Sequence, residues 1–390
     1  MSTRIDPTLA VDLKQFGKAD WNECFHCGNC TATCPLSETG FLFPRKGIRN
    51  IQMGLKDKIA LSTEPWLCYY CGDCSDSCPR DANPGELMMT LRRYLTSLYD
   101  WTGLSRKFYT SKSWEFSALA FIFVLVVALF VFFLPPSQNL LNGNDQLFIN
   151  DQGGVMINSL VDGIGSMEFV QLIEYGDWTM AILVASLLIS NIIRMWYKVI
   201  LKDKSIKISF FAYIKEFWRL IWNFLTQPKF SKCDRKIYWV GHLFLMTGYT
   251  IMFAVVVVFL KWFQTEEVFD WWHPQRLLGY YATFGLLAFL IYAFIGRLKQ
   301  TDQKFKYSHG SDWLFIVMLF FTTLTGILVH IFRVTGMPLE TYYMYVVHLA
   351  ILVPMIVVEV PFSKWSHLAY RPFAIYFANL KKTALAKQSS

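Results

Sequence analysis

The chain has 390 residues, 54% of them apolar and 17% aromatic, with 37 Lys and Arg against 29 Asp and Glu for a formal net charge of +8. That length allows two or three domains, but so apolar a composition excludes an ordinary soluble protein. The positive charge gives no reason to expect a nucleic-acid partner, because the basic residues gather in loops between apolar stretches, as membrane topology alone requires.

The imbalance is local. Residues 1–110 are mixed and charged, and Met1 to Lys14 holds no apolar leader segment. Within this head, Cys24, Cys27, Cys30 and Cys34 run into Pro35, and Cys68, Cys71, Cys74 and Cys78 run into Pro79. Both runs read C-x-x-C-x-x-C-x-x-x-C-P, the spacing with which bacterial-type ferredoxins hold two 4Fe-4S clusters, the fourth cysteine of each run crossing to the other cluster. The pattern gives Cys24, Cys27, Cys30 and Cys78 to the first cluster, and Cys68, Cys71, Cys74 and Cys34 to the second. Two-residue gaps let neighbouring thiolates turn into one iron site, and the proline after the fourth leads the chain away. Zinc prefers separated ligand pairs and disulfides suit secreted chains; neither needs a triplet plus one, written twice. Such clusters carry electrons singly, without saying from what to what.

Between the runs, Ile48, Ile51 and Leu55 fall at helical spacing within residues 44–58. After the second run, Asn83 is a helix cap with Pro84 at the first position and Glu86 reaching back as in a capping box; the helix continues to about Tyr99. The head therefore reads as mainly helical. The ninth cysteine, Cys233, stands alone in a basic loop and is given no role.

Six apolar stretches follow, at about 114–134, 178–197, 237–260, 277–295, 313–332 and 342–360, each long enough to cross roughly 30 Å of hydrocarbon. Residues 135–177 hold no Lys or Arg but six acids, among them Glu174 and Asp177, whereas residues 198–236 hold ten Lys and Arg. The positive-inside rule then puts both termini, and the head, on the cytoplasmic side of a multi-pass inner-membrane protein. Residues 208–225, aromatic and basic, are expected to lie in the interface rather than cross. The domains so read are 1–110 (head), 111–370 (membrane part) and 371–390 (cytoplasmic tail).

Ionisable side chains inside a span are costly and suggest function. His242 and His367 fall at the inner depth, His330 and His348 at the outer. Two layers of paired histidines suit two haems, since a histidine nitrogen is a usual axial ligand. The ordinary alternative is a hydrogen bond to a carbonyl at a span end. Met252, at the depth of His348, is a rival ligand for the outer haem. No C-x-x-C-H occurs, which leaves non-covalent haem b. His273 and His309 are expected in solvated loops, His273 bordering a substrate pocket if it has a role. A quinone needs an apolar slot with one or two polar contacts; Lys261, His273, Arg276 and Glu340 are the candidates near the outer rim, with Glu359 as a second possibility near the inner end of the sixth span. No Gly-x-Gly-x-x-Gly or phosphate-loop pattern is present, so neither flavin nor nucleotide is expected on this chain.

The string CFHCGNCTATCP resembles the small, C-type iron-sulfur polypeptide of heterodisulfide reductases. The catalytic polypeptide of those enzymes carries adjacent Cys-Cys pairs; this chain has none, so disulfide cleavage is not expected on it. Spans two to six are similar to the haem b (gamma) subunit of respiratory nitrate reductases, in which one helix carries two haem-ligating histidines and the last carries two more. Here the third span keeps only His242, and the last keeps both His348 and His367. Head followed by membrane domain resembles the QmoC family, the membrane subunits of quinone-interacting membrane-bound oxidoreductases (Qmo). The resemblance implies a mainly α fold, a helical two-4Fe-4S ferredoxin-like domain fused to a six-span transmembrane bundle of di-haem cytochrome b type. It further implies electron transfer between menaquinone, two haems b and two 4Fe-4S clusters. The implied partners are flavin and iron-sulfur polypeptides like the A-type polypeptide of heterodisulfide reductase (the QmoA and QmoB type) and adenylylsulfate reductase, in dissimilatory sulfur metabolism such as sulfate respiration. The alternatives are membership of a sulfite-reductase-linked or heterodisulfide-reductase membrane complex, and a redox-sensing or structural anchor.

Overall fold

The computed structural model describes residues 4–18, 20–37, 41–162, 167–203 and 207–389, with side chains to residue 386. Lys204 of the ten-residue basic set, Gly163–Ser166 of the acidic segment and the last residue of the expected tail lie outside the described residues. Helices account for the architecture; the β pairing among the described residues is two isolated bridges, Pro136 with Val161 and Ile149 with Val155.

In the head, helix α1 (Arg45–Gln52) buries Ile48 and Ile51. It stops short of Leu55, because Gly54 takes a left-handed backbone with φ +65° and a Cβ there would lie 2.6 Å from the Asp6 carbonyl. A second short helix, Lys56–Ala60, resumes beyond the break. Helix α2 (Pro84–Tyr99) starts as expected: Asn83 Oδ1 accepts from the Glu86 N–H at 3.4 Å. The expected return bond from Glu86 does not form. Its carboxylate instead accepts from Tyr70 Oη at 2.8 Å and pairs with Arg93 at 3.0 Å.

Helix α3 (Leu104–Thr110) leads into the first of six helices long and apolar enough to cross a membrane, α4 (Lys112–Phe133). The others are α5 (Phe169–Trp196), α7 (Lys236–Phe253), α8 (Pro274–Lys299), α9 (Gly310–Val334) and α10 (Pro338–Pro354), with α6 (Phe210–Thr226) between the second and third. Single π-helical turns extend α5 to Leu201, α7 to Val258 and α10 to Glu359. In α10 the π turn is flanked by Pro354 and Pro361, neither of which has an N–H to give to the ladder. The bundle runs α7 on α8, α8 on α9, α9 on α10 and α10 on α4. Helix α5 differs from the expected span, since it begins at Phe169 and so contains Glu174 and Asp177; the acidic connection is correspondingly shorter.

Helix α6 buries Ala212 and Glu216 and exposes Phe211, Trp218 and Trp222. Its inner face meets α11 (His367–Ser389). Residues 371–389, read from the sequence as a tail, are thus mostly one helix that buries Ala374, Phe377 and Leu380 against the head and α6. Trp66 and Tyr99 of the head pack on Tyr370, with ring centroids 5.3 and 5.6 Å apart. A buried ion-pair chain completes the join: Arg93 of α2 bonds Glu86 at 3.0 Å and Asp312 of α9 at 3.2 Å, and Asp312 also pairs with Lys364.

Candidate functional site

The two cysteine runs follow the same backbone path. In C-x-x-C-G, the residue before the second cysteine is left-handed in both copies (His26 φ 60°, Tyr70 φ 54°), and so is the glycine after it (Gly28 φ 90°, Gly72 φ 103°). Glycine is needed at those last positions, where L side chains are strained, whereas His26 and Tyr70 each carry a penalty of about 1–3 kcal/mol. A short helix then starts in each copy, Asn29–Thr33 and Asp73–Asp76, bringing the third cysteine back toward the first two. The sulfurs of Cys24, Cys78 and Cys27 act electrostatically on Cys30, and those of Cys68, Cys71, Cys34 and Cys30 on Cys74. The fourth cysteine of each run thus sits with the other run's triplet.

Burial, reinforced by the neighbouring sulfurs, pushes Cys30 up to about 11 and Cys74 well above the usual thiol range; burial and then Cys68 push Cys34 up to about 12. Packed thiolates in a low-dielectric site need positive charge to offset them, and iron supplies it. The donor set therefore fits two iron-sulfur clusters. Cys27 is exposed and Cys68 buried, so the second group faces the membrane helices and the first faces outward.

Below the second group lies a cavity of about 240 Å3 lined by Trp66, Arg92, His242, Lys304, His367 and Arg371. The His242 and His367 rings have centroids 6.5 Å apart. A metal held between two imidazole nitrogens at about 2 Å each leaves roughly 6 Å between ring centroids. His367 Nδ1 stands 2.7 Å from the Lys364 carbonyl, which fixes the tautomer with the proton on Nδ1 and leaves Nε2 as a donor to metal. His242 Nδ1 is buried without a partner. Arg92 and Arg371 spend donors on main-chain carbonyls rather than carboxylates: Arg92 on Pro65 at 2.7 Å and on Cys68, Arg371 on Cys68 at 3.0 Å. Burial and then the neighbouring Arg371 charge push Arg92 down to about 9. Two facing imidazoles beside unneutralised cations fit a haem with its two propionates. Tyr69, between Cys68 and Cys71, stacks on Phe230 at 4.6 Å, and Phe230 meets His242 edge-on at 5.9 Å.

On the far side of the bundle, a cavity of about 580 Å3 is lined by Met252, Arg276, Tyr280, Gly326, His330 and His348. His348 Nδ1 is 3.0 Å from Thr325 Oγ1. Gly326 gives its ring room, since a Cβ there would come within 3.2 Å of Cε1. His330 differs: Arg276 Nη1 and Tyr280 Oη lie 3.0 and 3.1 Å from its Nε2. Of the quinone candidates only Arg276 lines this cavity. Lys261 pairs with Glu174 at 3.5 Å and is largely exposed. His273, expected in solvent, stacks on Phe269 at 4.0 Å with Nδ1 buried. Glu340 is exposed.

Three residues read differently in three dimensions. Glu359 is fully buried at the head side of α10 with Glu115, whose Oε1 accepts from Ser363 Oγ at 2.9 Å. His309, also expected in solvent, caps α9: its Nδ1 accepts from the Ser311 N–H at 3.2 Å, and its own N–H donates to Asp312 at 3.1 Å. Cys233, given no role, is fully buried beside Cys71. Sequence reasoning also missed Arg371, although four residues after His367 it had to share that helix face, and Tyr69 with Phe230, which no spacing links.

Comparison with known proteins bears on the head. Residues 20–82 match the family described as a 4Fe-4S dicluster domain. Over 98 residues the chain is 33% identical to a heterodisulfide reductase C-like protein of Archaeoglobus profundus, which covers 25% of this chain and 52% of that relative. The chain thus spans about half the length of the curated relative it matches. No solved structure matches.

Proposed function

We propose that the chain is the quinone-reactive membrane component of a multi-subunit oxidoreductase, passing electrons between a quinone in the far-side cavity and partners docked on the iron-sulfur head. The observation that carries this reading is the facing pair His242 and His367, 6.5 Å apart and directly beneath the second cysteine group. When bound, two haems b and two 4Fe-4S clusters supply the one-electron steps into which two-electron quinone chemistry must be divided.

The chain's own residues do the positioning. His242 and His367 would hold the head-side haem, the latter oriented by the Lys364 carbonyl, and Arg92, Arg371 and Lys304 would offset the charge of its carboxylates. His348, oriented by Thr325, would hold the far-side haem, with His330 and Met252 as the candidates for its further ligand at the same cavity. Arg276 and Tyr280 offer a hydrogen bond to a quinone carbonyl at the same cavity. Tyr69 and Phe230, both buried, lie in contact between His242 and the Cys68–Cys71 loop. The exposed first group, at Cys27, is the exit toward partners. The segregation of acids and bases along the chain supports a head on the cytoplasmic side. Flavin and iron-sulfur polypeptides of the heterodisulfide reductase A type, and adenylylsulfate reductase beyond them, are the partners this reading favours; a partner carrying Cys-Cys repeats would favour a heterodisulfide reductase complex instead.

The test is rapid mixing of the lipid-embedded protein with a menaquinol analogue while the head's reduced-cluster paramagnetic signal is followed. The signal should grow in the native protein and be lost in His367→Ala. Absence of cluster reduction by quinol in the native protein would refute the reading.

A further inference from the structure

Two carboxylates line the far-side cavity, Asp177 from α5 and Glu267 from the α7–α8 connection. Glu267 is exposed, whereas Asp177 is 7% exposed and its Oδ2 is buried without a partner. The cations of the cavity are engaged elsewhere: Arg276 Nη1 lies 3.0 Å from His330 Nε2, and Arg333 donates to the Val155 carbonyl at 3.3 Å and to that of Thr265. A second acceptor on the same lining, Gln264 Oε1, is also buried without a partner, while the amide nitrogen of Gln264 donates to Tyr345 Oη at 3.5 Å.

A buried carboxylate oxygen that meets neither cation nor donor is costly, and an ionisable side chain within a span points to function. Quinone and quinol differ in what they offer such a group. The oxygens of a quinone only accept hydrogen bonds, whereas a quinol carries two O–H donors and loses both protons when it is oxidised. Arg276 and Tyr280 supply donors suited to the quinone form; Asp177 and Gln264 supply acceptors suited to the quinol. A general base must lie within hydrogen-bond reach of the proton it takes, and Asp177 forms part of the cavity wall itself. The proton also has an exit. Glu174, three residues earlier on α5 and so a neighbour on the helix surface, is paired with Lys261 at 3.5 Å, and that lysine is largely exposed.

We propose that Asp177 is the base that takes the protons of quinol in the far-side cavity. A quinol O–H bond breaks, its proton passes to Asp177 Oδ2, and one electron leaves the quinol for the far-side haem b. Asp177 returns to the carboxylate by giving the proton up toward the Glu174–Lys261 pair. A second round removes the other proton and the other electron, and quinone is left. Electrons thus depart toward the head while protons depart on the far side. This inference deepens the proposed function and rests on its placing of quinone chemistry in this cavity.

The experiment compares the full-length, lipid-embedded protein with its Asp177→Asn and Asp177→Glu variants. It measures oxidation of a menaquinol analogue and, at equilibrium without turnover, binding of that analogue to dithionite-reduced protein and of its quinone form to oxidised protein. Native protein that binds neither form would sink the quinone reading before Asp177 is considered. With haem and iron complete, Asp177→Asn should lower kcat about 100-fold and weaken quinol binding about tenfold. Quinone binding should stay unchanged, because only the quinol brings an O–H to the carboxylate. Asp177→Glu, which keeps a base, should restore part of the rate. A native kcat in Asp177→Asn would overturn the proposal. So would an equal loss of binding for both forms, the mark of a packing role, or loss of haem from that variant.

Discussion

The head-side and far-side cavities contain the same kind of residue in different states of preparation. At the head side, His242 and His367 already face each other at 6.5 Å, one oriented by a main-chain carbonyl, and cations with no carboxylate of their own stand beside them. At the far side, His348 is oriented by Thr325, but the Nε2 of His330 is engaged by Arg276 and Tyr280. The far-side cavity is also the larger, about 580 against 240 Å3. A tight, charge-matched slot suits a permanently held group, whereas a roomy cavity with one engaged histidine suits a shared space where a molecule enters and leaves. On the proposed function, the fixed end of the electron path is then under the head and the exchangeable end opposite it.

Five predictions would break or sharpen that contrast. The largest effect is expected from His242→Ala or His367→Ala, which should remove the head-side haem and about half of the b-type absorbance while leaving the iron of both clusters in place, measured by optical spectrum and iron analysis. Next is Asp312→Asn, which removes a charge buried between Arg93 and Lys364. It should destabilise the joint between head and bundle by about 3–5 kcal/mol, read in denaturant unfolding, because it leaves uncompensated buried cations. Thr325→Val should weaken far-side haem retention by about 10–100-fold and spare the head-side haem, as loss of a histidine's outer partner does. Arg276→Leu should raise the quinol KM by about tenfold, the worth of a charged hydrogen bond, with haem content intact. Haem loss in that variant would instead tie Arg276 to the cofactor.

The smallest effect concerns the head side alone. Burial, and then the Arg93 charge, hold His309 down to about 4 from its ordinary 6.5, which keeps Nδ1 free to accept from Ser311. The unfolded chain binds the proton first, so stability should be full above pH 6.5 and decline as pH falls toward 4. His309→Asn, which keeps a capping oxygen, should flatten that decline in a thermal-unfolding series across pH.

Local chemistry explains which parts were legible in the sequence. The cysteine runs carry their chemistry in their spacing, and the spans carry theirs in length and polarity, so a 4Fe-4S dicluster head and six apolar helices could be written down from residue order alone. Depth along a span brought His242 and His367 to the same level as well. Long-range packing could not be read. Glu86 had a capping partner in sequence but found Arg93 and Tyr70 in space, where a buried ion pair outcompetes a local bond. Helix α5 continues through Glu174 and Asp177 because Lys261 answers one acid and packing covers the other, although hydropathy ends the span at those charges. Cys233 met Cys71 only once the α6–α7 connection had folded against the head.

The central claim is that paired histidines hold haem between a quinone cavity and the clusters. A redox-titrated optical spectrum of the purified full-length protein tests it most directly. The expected result is two b-type haems of low-spin, histidine-ligated character, both reduced by a menaquinol analogue, together with iron for two 4Fe-4S clusters. A preparation with full iron-sulfur content and no haem band would contradict it.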